Sequence, residues 1–293
     1  MRISGSTALY GIIGYPVEHS LSPAIHNAAI NELSLDAVYV AFSVKPDGLA
    51  KAVDGLRVMG VRGFNVTMPF KAEVMVHLDA LDDEAAAVKA VNTVVNDDGK
   101  LIGYNTDGVG ALEALRRAVG EVSGLDIVVV GAGGAARALV SRLSGFQCDI
   151  TVLSRDPGKA KLLVENFKGR ANANIAYGDL SLQTQRKVIP RARLIINATP
   201  VGMTVPGCPI DPGLIHSGHV VFDMIYWPPE TQLLREARLK GASTLNGLSM
   251  LVHQAAHSFN LWFKMAPPVE VMFRAAWEGL LKWGEAGRQP SQR

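Results

Sequence analysis

Cysteine is scarce in this chain, and its scarcity excludes a disulfide-built fold. The 293 residues contain two cysteines, Cys148 and Cys208, and neither has a Cys or His neighbour at the spacing of a metal site. The pattern indicates free thiols in a reducing compartment. We therefore expect a cytoplasmic protein.

Long apolar runs and blocks of like charge are missing as well. No segment approaches the roughly 18 consecutive apolar residues of a bilayer-spanning helix. The formal net charge is +2, and no basic block is interleaved with aromatic residues. These absences argue against a membrane protein and a nucleic-acid-binding protein. We expect a small-molecule ligand, and a monomer or a homodimer.

Strand-like and helix-like segments alternate along the chain, which predicts an α/β protein, and the length predicts two domains. The cluster Asn96-Asp97-Asp98-Gly99 predicts a hairpin between strand-like segments at 91–95 and 101–104. Two amphipathic segments, 248–263 and 269–283, predict terminal helices that pack across or back onto the first domain. Residues 287–293 are expected to form a frayed tail.

The stretch 126–137, DIVVVGAGGAAR, carries the strongest single motif. A β-branched run precedes Gly131, Gly133 and Ala136, which fit the pattern G-x-G-x-x-A. Unpaired N–H groups at the start of the following helix would face a pyrophosphate. A second strand-like run at 149–153 completes the context. The motif predicts a Rossmann-type doubly wound domain, and the alternative is a glycine-rich βα turn without a ligand.

The residues at the end of that second strand indicate whether the cofactor is NADP or NAD. Arg155 and Lys159 offer positive charge for a 2′-phosphate, which favours NADP. Between them, Asp156 would repel a phosphate or accept from ribose hydroxyls, so NAD stays a weaker alternative. Equally, Asp156 could cap a helix that begins at Pro157.

Three polar clusters in the first domain are candidates for the chemistry: HSLSP at 19–23, NVTMPFK at 65–71, and NTDG at 105–108 with Asn92-Thr93 upstream. The hydroxyls of the first cluster could hold a carboxylate, or Ser22 could be a plain helix N-cap before Pro23. Lys71 and Asp107 could move a proton to or from a hydroxyl during hydride transfer, or form an ordinary surface pair.

A metal site is not expected. His253 and His257 have helical i, i+4 spacing, but Gln254 stands in place of the glutamate of H-E-x-x-H and no third ligand is evident.

With these motifs in order, the chain resembles the shikimate dehydrogenase family over essentially its whole length. The resemblance rests on HSLSP (19–23), NVTMPFK (65–71), AVNT (90–93), YNTDGVG (104–110), GAGGAAR (131–137), NATPVGM (197–203), DMIY (223–226) and NGLSMLVHQAAHSF (246–259). It implies an oxidoreductase that reversibly reduces 3-dehydroshikimate to shikimate with NADPH, in chorismate and aromatic amino-acid biosynthesis.

The resemblance also implies roles for individual residues. Lys71 and Asp107 are the implied catalytic pair, with the ammonium form of Lys71 as proton donor. The implied substrate-binding residues are Ser20, Ser22, Thr67, Asn92, Asp107, Tyr226 and Gln254. The implied cofactor-binding residues are Gly131, Ala132, Gly133, Gly134, Ala135, Ser154, Arg155, Lys159, Met224 and Gly247.

The implied architecture is an N-terminal α/β substrate-binding domain over 1–106, completed by C-terminal helices at 247–285, and a dinucleotide-binding domain over 107–246, with a cleft between the two. The chain departs from the family at Ser154-Arg155-Asp156, where Asn-Arg-Thr and a basic residue are common, and at Met68, where valine is common. The alternatives are a quinate/shikimate dehydrogenase with dual NAD and NADP use, and a catalytically idle NADP-binding regulator. The small pair Ser20 and Ser22 favours shikimate over quinate.

Overall fold

The computed structural model of the protein describes residues 3–167, 169 and 171–285, and within these residues the chain forms twelve β-strands and ten α-helices. The strands are β1 (Ala8–Gly14), β2 (Ala37–Ser43), β3 (Gly63–Val66), β4 (Ala80–Leu81), β5 (Thr93–Asp97), β6 (Lys100–Tyr104), β7 (Asp126–Val130), β8 (Asp149–Ser154), β9 (Asn174–Asp179), β10 (Leu194–Asn197), β11 (Val220–Asp223) and β12 (Ser243–Leu245). The helices are α1 (Ser22–Glu32), α2 (Leu49–Val58), α3 (Asp83–Val88), α4 (Asp107–Val119), α5 (Gly134–Leu143), α6 (Pro157–Phe167), α7 (Leu182–Val188), α8 (Gln232–Leu239), α9 (Leu248–Phe263) and α10 (Val269–Glu285). The tail expected at 287–293 lies outside the described residues.

The described chain divides into two compact units. The first contains residues 3–106 and 252–285, and the second contains residues 107–251. One division falls at the start of α4 and the other inside α9. The first unit is therefore discontinuous in the sequence, whereas the second is continuous. No helix in the described part of the chain is long and apolar enough to cross a membrane.

The first unit is built on a six-stranded mixed sheet in the order β2-β1-β3-β5-β6-β4. The three strands β2, β1 and β3 are parallel, and β5 runs antiparallel to β3 and β6. The predicted hairpin between β5 and β6 is confirmed, and its turn residues Asp98 and Gly99 have φ of 48° and 92°. Positive φ explains the Asp-Gly pair, because these residues tolerate the left-handed region better than most.

The last two helices complete the core of the first unit. Trp262 on α9 lies over Gly63, where a β-carbon would overlap the indole, and its Nε1 donates to the carbonyl oxygen of Val94 at 2.9 Å. On α10, a β-carbon at Gly279 would come 2.6 Å from the side chain of Leu21 beside α1. Glycines at these two positions permit close packing, so helices from the end of the chain cover a sheet formed by its beginning.

The second unit is a six-stranded, fully parallel sheet in the order β9-β8-β7-β10-β11-β12. Numbered within the unit, this order is 3-2-1-4-5-6, the arrangement of a Rossmann domain. Buried β-branched residues form β7, from Ile127 to Val130, because a central parallel strand is covered on both faces. The predicted doubly wound fold is confirmed.

The sequence patterns did not predict the two edge strands of the second sheet, β9 and β12. β9 has the sequence NIAYGD with no buried residue, and β12 is only three residues long. An edge strand exposed on one side lacks the apolar run that marks a central strand. β9 is identified only by its pairing with β8, in which Ile175 lies opposite Ile150.

Candidate active site

The glycine turn connects β7 to α5 at the switch point of the Rossmann sheet, where β7 lies between β8 and β10. Gly131 has φ of 114°, and a β-carbon there would come 2.8 Å from the carbonyl oxygen of Ala198. The protein itself therefore requires glycine at this position. By contrast, Gly133 and Gly134 are exposed, and a β-carbon at either would meet no described atom within 4 Å.

The open space at Gly133 and Gly134 indicates whether a dinucleotide fits at this turn. Gly133 precedes the first residue of α5 with ordinary extended backbone, φ −81° and ψ −170°. Since neither backbone conformation nor packing requires glycine at 133, the open space suits a ligand that approaches the main chain, as a pyrophosphate does. Ala132 and Ala135 are half-buried beside it, and Ala136 is fully buried. The predicted turn residues are thus brought together at one helix start.

The end of β8 resolves the alternative interpretations of Asp156. Its Oδ1 accepts from the backbone N–H groups of Gly158 at 3.0 Å and Lys159 at 3.4 Å, so Asp156 caps α6. The backbone N–H of Asp156 in turn donates to Ser154 Oγ at 3.3 Å. Arg155 and Lys159 are exposed and form no ion pair with any described residue. The capping interpretation is confirmed, and two cations remain at the strand end.

A second polar cluster holds the ends of β10 and β11. Asp223 is fully buried and its carboxylate accepts from Asn197 Nδ2 at 3.0 Å, from Thr231 Oγ1 at 2.7 Å and from the backbone N–H of Ile225 at 3.1 Å. Burial raises the pKa of Asp223 to about 6, although these three donors act in the opposite direction. The carboxylate fixes the chain that carries Met224.

Met224 and Gly247 are neighbours in this unit. The backbone N–H of Gly247 donates to the carbonyl oxygen of Ile225 at 2.9 Å, and a β-carbon at 247 would overlap the carbonyl oxygen of Met224. Only glycine allows the two chain segments to lie this close. Tyr226 is half-buried, three residues beyond Asp223. The structure thus brings together two residues that the resemblance assigns to the nicotinamide.

In the first unit, the serine pair lies at the start of α1. The helix begins at Ser22 itself, with Leu21 at the N-cap position and no side-chain cap, so the interpretation of Ser22 as a plain N-cap is wrong. Ser22 lies inside the helix, and its backbone N–H donates to Ser20 Oγ at 3.2 Å. Ser22 is 5% exposed, and its hydroxyl interacts with the phenol of Tyr39.

The second cluster follows β3. The backbone N–H of Thr67 donates to the carbonyl oxygen of Ile13 at 3.0 Å, and the carbonyl oxygen of Lys71 accepts from the N–H of Val91 at 2.7 Å. Both side chains, Thr67 and Lys71, are half-buried. Main-chain bonds therefore fix both ends of the loop that carries them.

Asn92 and Gln254 meet although 162 positions separate them in the sequence. Asn92 Nδ2 donates to Gln254 Oε1 at 3.2 Å and to Thr106 Oγ1 at 2.9 Å, and the backbone N–H of Thr106 donates to Asn92 Oδ1 at 2.8 Å. All three residues are buried. Thr106 stands in the NTDG cluster of the sequence, although the resemblance assigns it no role of its own.

Asp107 begins α4 and is 7% exposed. It belongs to the second unit, whereas Lys71 belongs to the first. The pairing of these two side chains therefore stays a prediction. α4 packs closely on α5, since a β-carbon at Gly108 would overlap the carbonyl oxygen of Ala138.

The Rossmann sheet, its open glycine turn and a separate α/β unit with buried polar side chains define a two-domain dinucleotide-dependent oxidoreductase. Comparison with known proteins narrows this class. Family models match residues 12–94 (shikimate dehydrogenase substrate binding domain), 113–203 (shikimate / quinate 5-dehydrogenase) and 247–276 (shikimate 5′-dehydrogenase C-terminal domain). The chain belongs to the shikimate dehydrogenase family, and the resemblance found in the sequence is confirmed.

Individual relatives are similar over nearly their whole length. A shikimate dehydrogenase (NADP(+)) from Thermococcus kodakarensis is 43% identical over 274 residues, covering 94% of this chain and 97% of the relative. A solved shikimate dehydrogenase in complex with NADP+ has a TM-score of 0.90 at 40% identity, covering 95% of this chain and 98% of that one. The Listeria monocytogenes enzyme in complex with shikimate and NAD has a TM-score of 0.88 at 37% identity, covering 94% and 98%.

Proposed function

We propose that this protein catalyses the reversible NADP-dependent reduction of 3-dehydroshikimate to shikimate, the step implied for chorismate and aromatic amino-acid biosynthesis. The observation that carries the proposal is the buried set of polar side chains in the first unit, centred on Asn92 and Gln254. Buried amides without charge suit a ligand that presents several hydroxyls, because each hydroxyl both donates and accepts. Membership of the family supports the same reaction.

For the substrate, we assign the carboxylate to Ser20 and Ser22, with Tyr226 at the same end. The buried hydroxyl of Ser22 and the half-buried hydroxyl of Ser20 lie at a helix start, which suits an anion, since the start of α1 adds positive potential. The ring hydroxyls are assigned to Thr67, Asn92, Asp107 and Gln254. These residues bind and orient the substrate.

For the chemistry, we assign Lys71 and Asp107. The hydride comes from NADPH when it is bound. As the carbonyl carbon accepts that hydride, the Lys71 ammonium group donates a proton to the carbonyl oxygen, and Asp107 orients the developing hydroxyl. In the oxidative direction the Lys71 amine takes the proton back from the substrate hydroxyl.

For the cofactor, we assign the turn Gly131–Ala135 to the pyrophosphate, Ser154, Arg155 and Lys159 to the 2′-phosphate end, and Met224 and Gly247 to the nicotinamide. The exposed cations Arg155 and Lys159 support NADP over NAD because they suit a 2′-phosphate, whereas Asp156 caps α6 through its Oδ1.

For the architecture, we propose that residues 1–106 with 247–285 bind the substrate and that residues 107–246 bind the dinucleotide. A cytoplasmic location accords with Cys148 and Cys208, which are both free. The proposed assembly is a monomer or a homodimer.

The test is the initial rate of nicotinamide absorbance change with shikimate and with quinate, each paired with NADP and with NAD at alkaline pH. We expect a strong preference for shikimate with NADP. A preference for quinate or NAD would overturn the assignment of Ser20 and Ser22 or that of Arg155. NADPH binding without any turnover would instead identify an idle NADP-binding regulator.

A further inference from the structure

A buried network of side chains connects Asn92 and Gln254 to the sheet of the first unit. We call it the polar network, and its members are Tyr39, Asn65, Thr93, Thr106 and Ser258. Each of them is at most 4% exposed. They come from β2, β3, β5, the residue before α4, and α9, so the network joins segments that are far apart in the sequence.

The amide of Asn65 is the centre of the network, and its orientation is determined. Its Nδ2 donates to the carbonyl oxygen of Asn92 at 3.0 Å, and a carbonyl oxygen can only accept. Its Oδ1 therefore faces the other way, where it accepts from the Tyr39 hydroxyl at 2.7 Å. Nδ2 also reaches Thr93 Oγ1 at 3.0 Å and Ser258 Oγ at 3.1 Å.

The same reasoning determines the orientation of Asn92. Its Oδ1 accepts from the backbone N–H of Thr106 at 2.8 Å, which can only donate, and from Thr93 Oγ1 at 3.1 Å. Nδ2 of Asn92 must then face Gln254 Oε1, at 3.2 Å. The carboxamide oxygen of Gln254 is thereby directed to Asn92, and its NH2 group lies on the other branch of the amide.

Ser258 anchors Gln254 from behind on α9. The two residues are one helical turn apart, and Ser258 Oγ lies 3.1 Å from the carbonyl oxygen of Gln254. The same hydroxyl is 2.7 Å from Thr93 Oγ1 and 3.3 Å from Thr106 Oγ1. Ser258 therefore fixes α9 against β5 at the level of the Gln254 side chain.

We propose that Thr93 and Ser258 are positioning residues, which hold the amides of Asn92 and Gln254 in one orientation and so set which ring hydroxyls of the substrate are recognised. The inference rests on the proposed function of Asn92 and Gln254. Without the Thr93 hydroxyl, Asn92 Oδ1 loses one of its donors, and without the Ser258 hydroxyl α9 loses its polar contact with β5 beside Gln254, so either amide can shift and no longer match the substrate hydroxyls. Such a mismatch weakens binding, because a buried polar group is then left unpaired.

Thr93 provides a matched pair of variants. Thr93→Val keeps the volume of the side chain and removes the hydroxyl, whereas Thr93→Ser keeps the hydroxyl and removes a methyl group. We expect Thr93→Val to raise KM for shikimate about tenfold, with kcat within about threefold and KM for NADP within about twofold. Thr93→Ser should restore KM to within about twofold of the wild-type value.

Ser258→Ala is the second variant, and it should raise KM for shikimate in the same way. Its control is Ser144→Ala in the second unit, where Oγ donates to the carbonyl oxygen of Ser141 at 2.7 Å and has no other hydrogen bond with the described residues. Ser144→Ala loses a largely buried serine hydroxyl outside the polar network, so its KM for shikimate should not change.

The outcomes separate this inference from the function on which it rests. If the wild type turns over shikimate but Thr93→Val and Ser258→Ala leave KM unchanged, Thr93 and Ser258 are structural residues only and the inference is wrong. An equal rise of KM in Thr93→Val and Thr93→Ser would also overturn it, since the hydroxyl would not be the cause. If the wild type shows no turnover of shikimate, the proposed function fails, and the inference fails with it.

Discussion

At the scale of single residues, main-chain bonds fix the backbone of Lys71, the proposed proton donor. Its carbonyl oxygen accepts from the N–H of Val91, and the preceding residue, Phe70, is fully buried. A lysine side chain has four rotatable bonds and loses much conformational entropy when it is ordered. Because the backbone on both sides of Lys71 is already fixed, less conformational entropy is lost when its side chain becomes ordered.

The first prediction concerns this residue. Lys71→Ala should lower kcat by about 10²-fold or more and leave KM for shikimate within several-fold, because the proton donor is lost while the groups assigned to binding remain. Steady-state kinetics in both directions provide the measurement. Lys51→Ala, an exposed lysine on α2, is the control and should behave as the wild type. Near-normal turnover of Lys71→Ala would remove this lysine from the mechanism.

At the scale of elements, the glycine turn before α5 contains two glycines with different surroundings. Gly131 is required by the fold, since it has φ of 114° and lies against Ala198. Gly133 has an ordinary backbone conformation and open space around its α-carbon. A substitution can therefore distinguish a structural glycine from one that a ligand requires.

The second prediction uses this difference. Gly133→Ala should raise KM for NADP at least about tenfold, while the free energy of unfolding stays within about 1 kcal/mol of the wild type. Gly131→Ala should lower the free energy of unfolding by about 1–3 kcal/mol, because alanine is strained at this φ. Urea unfolding and cofactor titration measure the two effects. An unchanged KM for NADP in Gly133→Ala would place the pyrophosphate elsewhere.

The start of α6 gives the third prediction. Asp156→Asn keeps an oxygen that can cap the helix and removes the negative charge beside Arg155 and Lys159. We expect a several-fold lower KM for NADP, an unchanged KM for NAD and unchanged stability. Asp156→Ala should lower KM for NADP equally but cost about 1 kcal/mol of stability, since the cap is lost. If neither variant changes KM for NADP, the carboxylate lies too far from the 2′-phosphate to matter.

At the scale of the whole molecule, buried titratable groups determine how stability depends on pH. His26 is 1% exposed, and its ring stacks on Tyr39 with centroids 4.4 Å apart. Burial lowers the pKa of His26 to about 3, and His219 shifts in the same direction, to about 4. The unfolded chain takes up protons on these residues below about pH 6.5, whereas the folded chain does not. The two histidines therefore contribute fully to the free energy of unfolding above that pH, and this contribution is lost as the pH falls.

The fourth prediction follows from these shifts. Between about pH 7 and about pH 5, His26→Phe should lose about 2 kcal/mol less of its free energy of unfolding than the wild type. Asp223 acts in the opposite direction, because its raised pKa of about 6 lets the folded chain bind a proton first as the pH falls. Asp223→Asn should therefore make the loss on acidification steeper. Urea unfolding across this range checks both variants, and parallel curves for His26→Phe and the wild type would contradict the argument.

The parts of the molecule that follow from local pattern could be predicted from the sequence. The β-branched run of β7 and the glycine turn indicated the Rossmann domain, and the Asp-Gly pair at 98–99 indicated the hairpin. Asn65, Thr93 and Thr106 stand in the polar motifs of the sequence, but the contacts that join them to Tyr39 and Ser258 could not be found in the same way. Asn65 and Ser258 are 193 positions apart and meet only because α9 packs on the first sheet. The edge strand β9 was missed because pairing, rather than an apolar run, defines it.

The discontinuity of the first unit has a consequence for the nascent chain on the ribosome. Residues 3–106 emerge first, yet Gly63 and Asn65 find their partners Trp262 and Ser258 only when the last part of the chain has been made. The continuous second unit, 107–251, can meanwhile close its own core. The first unit would thus complete its fold last, although its first segment is synthesised before the second unit. Until α9 emerges, the open face of the first sheet is the surface that a chaperone would need to shield.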